Sequence, residues 1–186
     1  MTRLFTRIAP AALAALVATP VLAAAPAPAP GIIALPMQPV VGADLRTCTA
    51  KTASGLGYRE LRAGTGPKPG KTDYVLINYI GYLASDGQVF DQNRQTPLGL
   101  EQVIAGFAEG LQLMPRGSIY RLCVPAALGY GAAGSGEQVP ANADLVFQIE
   151  LIDSKTAAEI QAMQAAARNN AAPGAAPAAG AAPAQR

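Results

Sequence analysis

The chain contains no histidine and only two cysteines among its 186 residues. Without imidazole there is no serine–histidine triad, no cysteine–histidine nucleophile, no imidazole metal ligand and no imidazole general base. Two cysteines, Cys48 and Cys123, are too few for a four-thiolate zinc site. These absences predict a function that uses neither a metal ion nor a cofactor and that does without the usual reactive side chains.

Strong charge of either sign is also lacking. The chain has 14 Lys and Arg against 12 Asp and Glu, a formal net charge of +2, and it has no run of basic residues. Proteins that bind nucleic acid usually carry a basic patch that neutralises phosphates. The sequence therefore predicts no nucleic-acid partner.

The N-terminus has no apolar run long enough to cross a bilayer. The basic start MTRLFTR precedes the apolar stretch IAPAALAALVATPVL, which Pro10 and Pro20 interrupt, and small residues follow in AAAPA. A membrane-spanning helix needs about 20 apolar residues, whereas this pattern is typical of a cleavable export signal. We predict a signal peptide over residues 1–25, cut between Ala23 and Ala25, and no stable membrane insertion after cleavage. The alternative is an uncleaved anchor.

Export changes the interpretation of the two cysteines. An oxidising compartment favours a disulfide between Cys48 and Cys123, which in the cytosol would stay reduced. In SIYRLCV, strand alternation places Cys123 on the same face as Ile119 and Arg121. We expect the arginine to mark that face as the more solvated one. Cys123 is then predicted to point outward, where an N-terminal segment crosses and is joined by the disulfide.

Composition divides the rest of the chain into three parts. Residues 26–55 are rich in proline and alanine and predict a linker and N-terminal arm. Residues 56–154 have an ordinary composition and are numerous enough for one compact core. Within residues 155–186, TAAEIQAMQAAARNN predicts an alanine-rich helix, and AAPGAAPAAGAAPAQR predicts a disordered tail.

The core has the patterns of an α+β domain. Alternating apolar residues predict strands in GYRELR, in YVLINYIGYL, from Ser118 to Val124 and from Asp144 to Ile152. One short helix is predicted from apolar residues at helical spacing, namely Val103, Phe107, Leu111 and Met114. Its glycines lower helix propensity, so packing must hold it. We predict a bent antiparallel β-sheet wrapped around this helix, with low-complexity extensions at both ends.

Three motifs follow one another along this core: YVLINYIGYLASDGQVFD, VIAGFAEGLQLMPRG and CVPAALGYGAAGSGEQVPANADLVFQIELI. Together they resemble an FK506-binding-protein (FKBP) type peptidyl-prolyl cis/trans isomerase, over the segment from Gly57 to Ser154. The resemblance implies an aromatic pocket where the sheet wraps the helix, and isomerase (rotamase) activity without covalent or metal chemistry. It implies two kinds of partner, proline-containing unfolded or nascent exported polypeptides and macrolide inhibitors of the FK506 type.

The resemblance also assigns the site residues. The expected catalytic residues are Tyr79, Phe90, Asp91, Ile104, Tyr130 and Phe147, and the expected substrate-binding residues are Val103, Phe107 and Val139. Asp91 would orient the substrate or a neighbouring hydroxyl, or alternatively cap a turn. For Tyr79, Phe107 and Phe147 the alternative is ordinary core packing. The chain is shorter than the small human relatives between FDQNR and GLEQVI, so Arg94 is not assigned to the pocket border.

Two functions are compatible with these residues. The first is a periplasmic isomerase that assists the folding of exported proteins, because uncatalysed X-Pro isomerisation takes about 10–100 s. The second is a periplasmic chaperone or a proline-peptide binding module with little turnover. The full set of aromatic pocket residues favours the enzyme. The client proteins, the residue preferred before proline and the oligomeric state stay open.

Overall fold

The computed structural model describes residues 31–33, 35 and 40–170, and gives only the backbone of residues 169 and 170. The predicted signal peptide, residues 26–30, 34 and 36–39 of the predicted linker and arm, and the predicted tail after residue 170 lie outside the described residues. The described part contains the core, the end of the N-terminal arm and the predicted C-terminal helix.

Six strands form one open antiparallel sheet in the order β1-β2-β5-β6-β3-β4. The strands are β1 (Ala50–Lys51), β2 (Gly57–Arg62), β3 (Tyr74–Leu83), β4 (Val89–Gly99), β5 (Ile119–Val124) and β6 (Leu145–Lys155). The four strands predicted from alternation are all present. With one helix packed on the sheet, the predicted α+β class is confirmed.

The short helix α1 (Ala105–Leu113) packs on one face of the sheet and builds the main core there. Phe107 and Leu111 are buried in this core together with the apolar side chains of β3, β5 and β6. The helix begins later than the apolar spacing suggests. A 3₁₀ turn covers Leu100–Gln102, and Val103 has extended backbone angles, so Val103 precedes the helix. Helical hydrogen bonding starts at the Ile104 carbonyl, which accepts from Phe107 and Ala108.

Gly110 allows α1 to lie close to the sheet. A Cβ atom at this position would overlap the side chain of Leu122 on β5. Alanine would raise the helix propensity of this position, but it would force the helix and the strand apart. Close packing, not propensity, therefore sets the residue at this position.

The long strand β4 bends because it carries two more residues than its partner β3 can match. Between Ile77 and Tyr79 of β3, the paired residues of β4 run from Thr96 to Asn93, which adds one residue. A second residue is added opposite the step from Gly81 to Tyr82. Extra residues of this kind are β-bulges, which bend a strand and increase its twist. They curve the β3–β4 edge of the sheet.

The N-terminal arm covers the other face of the sheet, called here the outer face. Ile33 and Val41 are buried in a second apolar cluster on this face. The side chain of Gln148 on β6 accepts from the Ile33 N–H at 2.7 Å and donates to the Ile33 carbonyl at 2.8 Å. Strand β1 adds to the sheet edge beside β2. The end of the predicted linker and arm is therefore packed as part of the domain.

Arg121 overturns one inference from the sequence. Its side chain was expected to mark a solvated face of β5, but it is fully buried beneath the arm. The guanidinium donates from Nη2 to the Gly31 carbonyl at 2.8 Å and from Nη1 to the Thr47 carbonyl at 3.4 Å. Burial lowers the pKa of Arg121 below its ordinary value. The arm crosses at this point, and Cys48 and Cys123 form a disulfide with their Cα atoms 6.2 Å apart.

A second helix, α2 (Ala157–Asn170), follows β6 and matches the predicted alanine-rich helix. Its start is closed by a capping box. The Thr156 hydroxyl accepts from the Glu159 N–H at 3.2 Å, and the Glu159 carboxylate accepts from the Thr156 N–H at 2.7 Å. In the part of the chain that the structure describes, no helix is both long and apolar enough to cross a membrane.

Candidate active site

A cavity of about 250 Å³ opens between the start of α1, the curved β3–β4 edge and the loop that follows β5. Seven of the nine residues predicted for the pocket line it: Tyr79, Asp91, Val103, Ile104, Phe107, Tyr130 and Phe147. Two further residues, Leu98 and Gln102, complete its wall. The cavity is therefore lined mainly by aromatic and aliphatic side chains, with a few polar groups at its rim.

Three aromatic rings in edge-to-face contact support the floor of the cavity. The rings of Phe107 and Phe147 have centroids 4.9 Å apart and planes at 76°. The Phe90 ring also meets the Phe147 ring edge to face, with centroids 5.6 Å apart. Phe107 and Phe147 are only 5% and 4% exposed. These two residues are therefore core residues and cavity-lining residues at once, so the two alternatives for them coincide.

Gly81 leaves the room that these rings need. It lies on β3 between its partners Asp91 on β4 and Phe147 on β6. A Cβ atom at Gly81 would come within 2.7 Å of the Phe147 ring and 2.8 Å of the Phe90 ring. Because both rings already pack edge to face, neither could move without disturbing the floor of the cavity. A residue without a side chain is needed here.

Tyr79 and Asp91 form a polar pair at the cavity rim. The Tyr79 hydroxyl donates to Oδ2 of Asp91 at 2.6 Å, and the Tyr79 ring meets the Phe107 ring edge to face with centroids 6.1 Å apart. Burial, and then the hydrogen bond to the carboxylate, raise the pKa of Tyr79 well above its ordinary value. Asp91 was predicted to orient the substrate or a neighbouring hydroxyl, or to cap a turn. In the structure it contacts the Tyr79 hydroxyl.

The backbone before α1 presents a free donor. Ile104 is the N-cap residue of the helix, with extended angles of φ −60° and ψ 149°. Its carbonyl is used by the first turn of the helix, whereas its N–H has no hydrogen-bond partner among the described residues. Since Ile104 lines the cavity, a group bound there can accept from this N–H.

The loop after β5 supplies Tyr130. Two short 3₁₀ turns, Ala126–Leu128 and Gly131–Ala133, lie on either side of it, and the Asn142 N–H donates to the Gly131 carbonyl at 2.8 Å. Tyr130 lines the cavity while 38% of it stays exposed. Its hydroxyl has no hydrogen-bond partner among the residues that the structure describes. The loop therefore places one polar, accessible aromatic side chain at the rim.

Two residues predicted for the pocket do not line the cavity. Phe90, which is partly exposed, packs edge to face against the Phe147 ring without lining the cavity. Val139 is 3% exposed and belongs to the main core, where it follows the tip of the loop. Arg94, left unassigned from the sequence, lines cavities on the outer face with Leu35. Arg94 lies in the first bulge of β4, between Asn93, which pairs with Tyr79, and Thr96, which pairs with Ile77.

The same bulge explains why Leu98 was missed. Asp91 and Leu98 are seven residues apart on β4, an odd number that places them on opposite faces of a regular strand. Their partners on β3, Gly81 and Val75, are six residues apart and share one face. The inserted residue restores Leu98 to the cavity side. For Gln102, the sequence contains no pattern that would place this residue at the cavity, apart from its position next to Val103.

Known proteins resemble this chain both in sequence and in structure. A family model described as FKBP-type peptidyl-prolyl cis-trans isomerase matches residues 66–152. The crystal structure of a peptidyl-prolyl cis-trans isomerase from Pseudomonas syringae pv. tomato is 40% identical, with a TM-score of 0.56, and the match covers 57% of this chain and 80% of that one. The chain belongs to the FKBP family.

Bacterial relatives of this FKBP-type domain are also found among full-length proteins. The outer membrane protein MIP of Legionella longbeachae is 46% identical over 109 residues, which cover 56% of this chain and 46% of that protein. The FKBP-type peptidyl-prolyl cis-trans isomerase FkpA of Aeromonas hydrophila is 48% identical over 105 residues, or 54% of this chain and 38% of FkpA. The chain spans less than half the length of these two relatives. The likeness is therefore one of the FKBP-type domain.

Proposed function

We propose that this protein is a peptidyl-prolyl cis/trans isomerase that acts on proline-containing segments of unfolded exported proteins. The observation that carries the proposal is the aromatic cavity, with Phe107 and Phe147 as its floor and Tyr130 at its rim. A proline ring is apolar and conformationally fixed, so it suits a rigid aromatic receptor. Membership of the FKBP family supports the same reaction.

The reaction needs no proton transfer and no covalent intermediate. The planar peptide bond resists rotation by about 18–20 kcal/mol because it has partial double-bond character. Water stabilises the planar, charge-separated form more than the twisted one. Moving the X-Pro bond into an apolar cavity removes that advantage and so lowers the barrier to rotation. The side chains that line this cavity suit such a medium.

Two donors at the rim hold the substrate in place. The free N–H of Ile104 and the hydroxyl of Tyr130 both border the cavity, and each can donate to a carbonyl of the bound peptide. Asp91 already accepts from Tyr79. Its part is to fix the Tyr79 ring against Phe107, which keeps the floor rigid. It is not required as a general acid or base.

Replacing Tyr130 with phenylalanine tests the substrate hydrogen bond. A neutral hydrogen bond contributes about 0.5–1.5 kcal/mol, so we expect kcat/KM for an X-Pro peptide to fall by about 3- to 10-fold. Tyr74→Phe is the matched control, because Tyr74 is similarly exposed and lies at the start of β3, outside the cavity lining. Activity is measured by the isomerisation rate of a proline tetrapeptide. Equal activity of both variants and the wild type would remove Tyr130 from the mechanism.

The same assay separates an enzyme from a binding module. An isomerase speeds the conversion of the peptide above its uncatalysed rate. A chaperone or proline-peptide binder would bind the peptide, seen as a change in the fluorescence of a labelled peptide, without speeding isomerisation. Binding without acceleration by the wild-type protein would overturn the isomerase assignment and favour the alternative.

We further propose that the protein is exported to the periplasm and that its disulfide forms there. The N-terminal pattern of residues 1–25 supports export, and the Cys48–Cys123 bond suits an oxidising compartment. Mass spectrometry of the protein purified from its host should show a chain cut between Ala23 and Ala25, two hydrogens lighter before reduction than after it. An uncut chain, or one with two free thiols, would contradict this proposal.

A further inference from the structure

We propose that the segment after α2, residues 171–186, binds in the candidate active site of its own chain and competes there with substrate. The inference rests on the proposed isomerase function, because it takes the cavity as a receptor for X-Pro bonds. The segment itself lies outside the described residues. Three of its features support the proposal: its sequence, the place where it leaves the domain and its length.

The segment repeats the bond that the cavity is suited to bind. Its sequence, AAPGAAPAAGAAPAQR, has an alanine directly before each of its three prolines, Pro173, Pro177 and Pro183. Residues 171–185 carry no charge, so none of them brings an unpaired charge into an apolar cavity, where it would be costly. The segment therefore has the chemistry of a short, uncharged X-Pro substrate.

The cavity offers donors that the described domain leaves unused. The Ile104 N–H and the Tyr130 hydroxyl both border the cavity, and neither has a hydrogen-bond partner among the described residues. The carbonyls on either side of a proline can accept from such donors. A proline segment attached to the same chain can therefore use the groups that a substrate uses.

Helix α2 joins the domain beside the cavity. Ile160, in its first turn, lines a small cavity of about 110 Å³ together with Tyr74 and Pro97 at one end of the β3–β4 pair. Leu98, the next residue of β4, lines the candidate active site. The two cavities are thus lined by neighbouring residues of one strand. The segment after α2 is therefore attached close to the site that it is proposed to bind.

Beyond Ile160 the helix projects from the domain. Every residue from Gln161 to Arg168 is exposed, so no face of this part of α2 is packed on the sheet. At about 1.5 Å per residue, the end of α2 at Asn170 lies about 15 Å along the helix from Ile160. The segment must cover about this distance to return to the cavity.

Length decides which proline can return. A fully extended chain spans about 3.3–3.6 Å per residue. Pro173 is then at most about 10 Å beyond Asn170, which is less than the length to be covered. Pro177 reaches about 24 Å, with little slack once the chain bends, whereas Pro183 reaches about 45 Å. The Ala182–Pro183 bond is therefore the one assigned to the cavity.

The proline-rich arm is less well placed for this contact. Its Ala–Pro bonds, within residues 25–30, directly precede Gly31. The Gly31 carbonyl accepts from Arg121 at 2.8 Å on the outer face of the sheet. From there the chain would have to pass around the sheet to reach the cavity. The segment after α2 starts from the end of β3 and β4 that the cavity shares.

Attachment to the same chain sets the size of the effect. A ligand held by a short linker has an effective concentration on the order of 1 mM. KM values of enzymes extend up to about 1 mM, and a short alanine–proline segment belongs at this weak end because it buries little surface. The segment should then occupy about half of the molecules or more. Loss of the contact should raise kcat/KM about two- to four-fold.

The test compares single substitutions in the full chain. Pro183→Ala should raise kcat/KM for an X-Pro tetrapeptide about two- to four-fold by lowering KM, with kcat unchanged, because a competing ligand is lost. Pro173→Ala is the matched control, since it removes the same residue type at a position too close to α2 to reach the cavity. In nuclear magnetic resonance spectra, the Ile104 amide signal should shift in Pro183→Ala only, independently of protein concentration.

Each outcome supports or overturns the contact. An unchanged kcat/KM or an unchanged Ile104 signal in Pro183→Ala would overturn it while the isomerase function stands. Equal changes in Pro173→Ala would also overturn it, because reach would then play no part. A shift that grows with protein concentration would show binding between two copies instead. Absence of isomerisation in every variant would overturn the proposed function, and the Ile104 signal would still report whether the segment occupies the cavity.

Discussion

Phe147→Ala should lower the free energy of unfolding by about 3–5 kcal/mol and reduce kcat/KM for an X-Pro peptide by about 30-fold. The side chain is 4% exposed and lies between the rings of Phe90 and Phe107. Its loss leaves a void in the core and removes half of the cavity floor. Urea unfolding gives the first quantity, and the isomerisation rate of a proline tetrapeptide gives the second.

The neighbouring residue on β6 provides the control for this prediction. Val146 is also buried, at 1% exposure, but it belongs to the cluster on the outer face. Val146→Ala should therefore cost about 2 kcal/mol of stability and leave the activity of the folded protein unchanged. Phe147→Leu keeps most of the volume and should stay folded with an intermediate activity. Equal losses of activity in Val146→Ala and Phe147→Ala would show that stability, not the cavity floor, controls the rate.

Removing the disulfide should have the second largest effect. The Cys48→Ala, Cys123→Ala double variant should lose about 4 kcal/mol of unfolding free energy, because the bond closes a loop with a sequence separation of 75. The cavity is on the opposite face of the sheet from the arm. The kcat/KM of the double variant should therefore stay within about two-fold of the wild-type value under conditions in which both proteins are folded.

Reductant gives an internal control for the disulfide. Reducing the wild-type protein should shift its urea midpoint towards that of the double variant, whereas the double variant should not respond. If the oxidised wild type and the double variant unfold at the same urea concentration, the bond contributes nothing to stability. A large loss of activity in the folded double variant would instead show that the arm and the cavity are coupled.

Strand alternation was sufficient to predict the α+β core, whereas the cavity residues were predicted from the resemblance of three motifs to the FKBP family. The resemblance assigned Tyr79, Phe107 and Phe147 to the pocket, and each lies in a regular strand or helix; from alternation alone they are predicted to be core residues. Leu98 could not be placed at the cavity, because a bulge reverses the alternation of β4 between it and Asp91. Val103 was placed on the helix because apolar spacing does not reveal that the helix starts after Ile104.

The error about Arg121 has a different cause. Alternation assigned it correctly to the face shared with Cys123, but the sequence does not show which segment covers that face. A buried arginine is stable there because two backbone carbonyls of the arm, at Gly31 and Thr47, accept from its guanidinium. Such long-range pairing of a side chain with irregular backbone leaves no periodic pattern. It becomes visible only in the folded chain.

The contact between Gln148 and Ile33 affects how the arm can vary among related sequences. Both hydrogen bonds go to main-chain atoms of a single residue, so they specify where the arm lies without reading which amino acid is there. Substitutions at position 33 that keep an apolar side chain should therefore be tolerated. An insertion that shifts the arm by one residue would bring the wrong side chain into the buried cluster. Substitutions of the side chain at position 33 are therefore compatible with these two hydrogen bonds, whereas insertions or deletions close to that position are not.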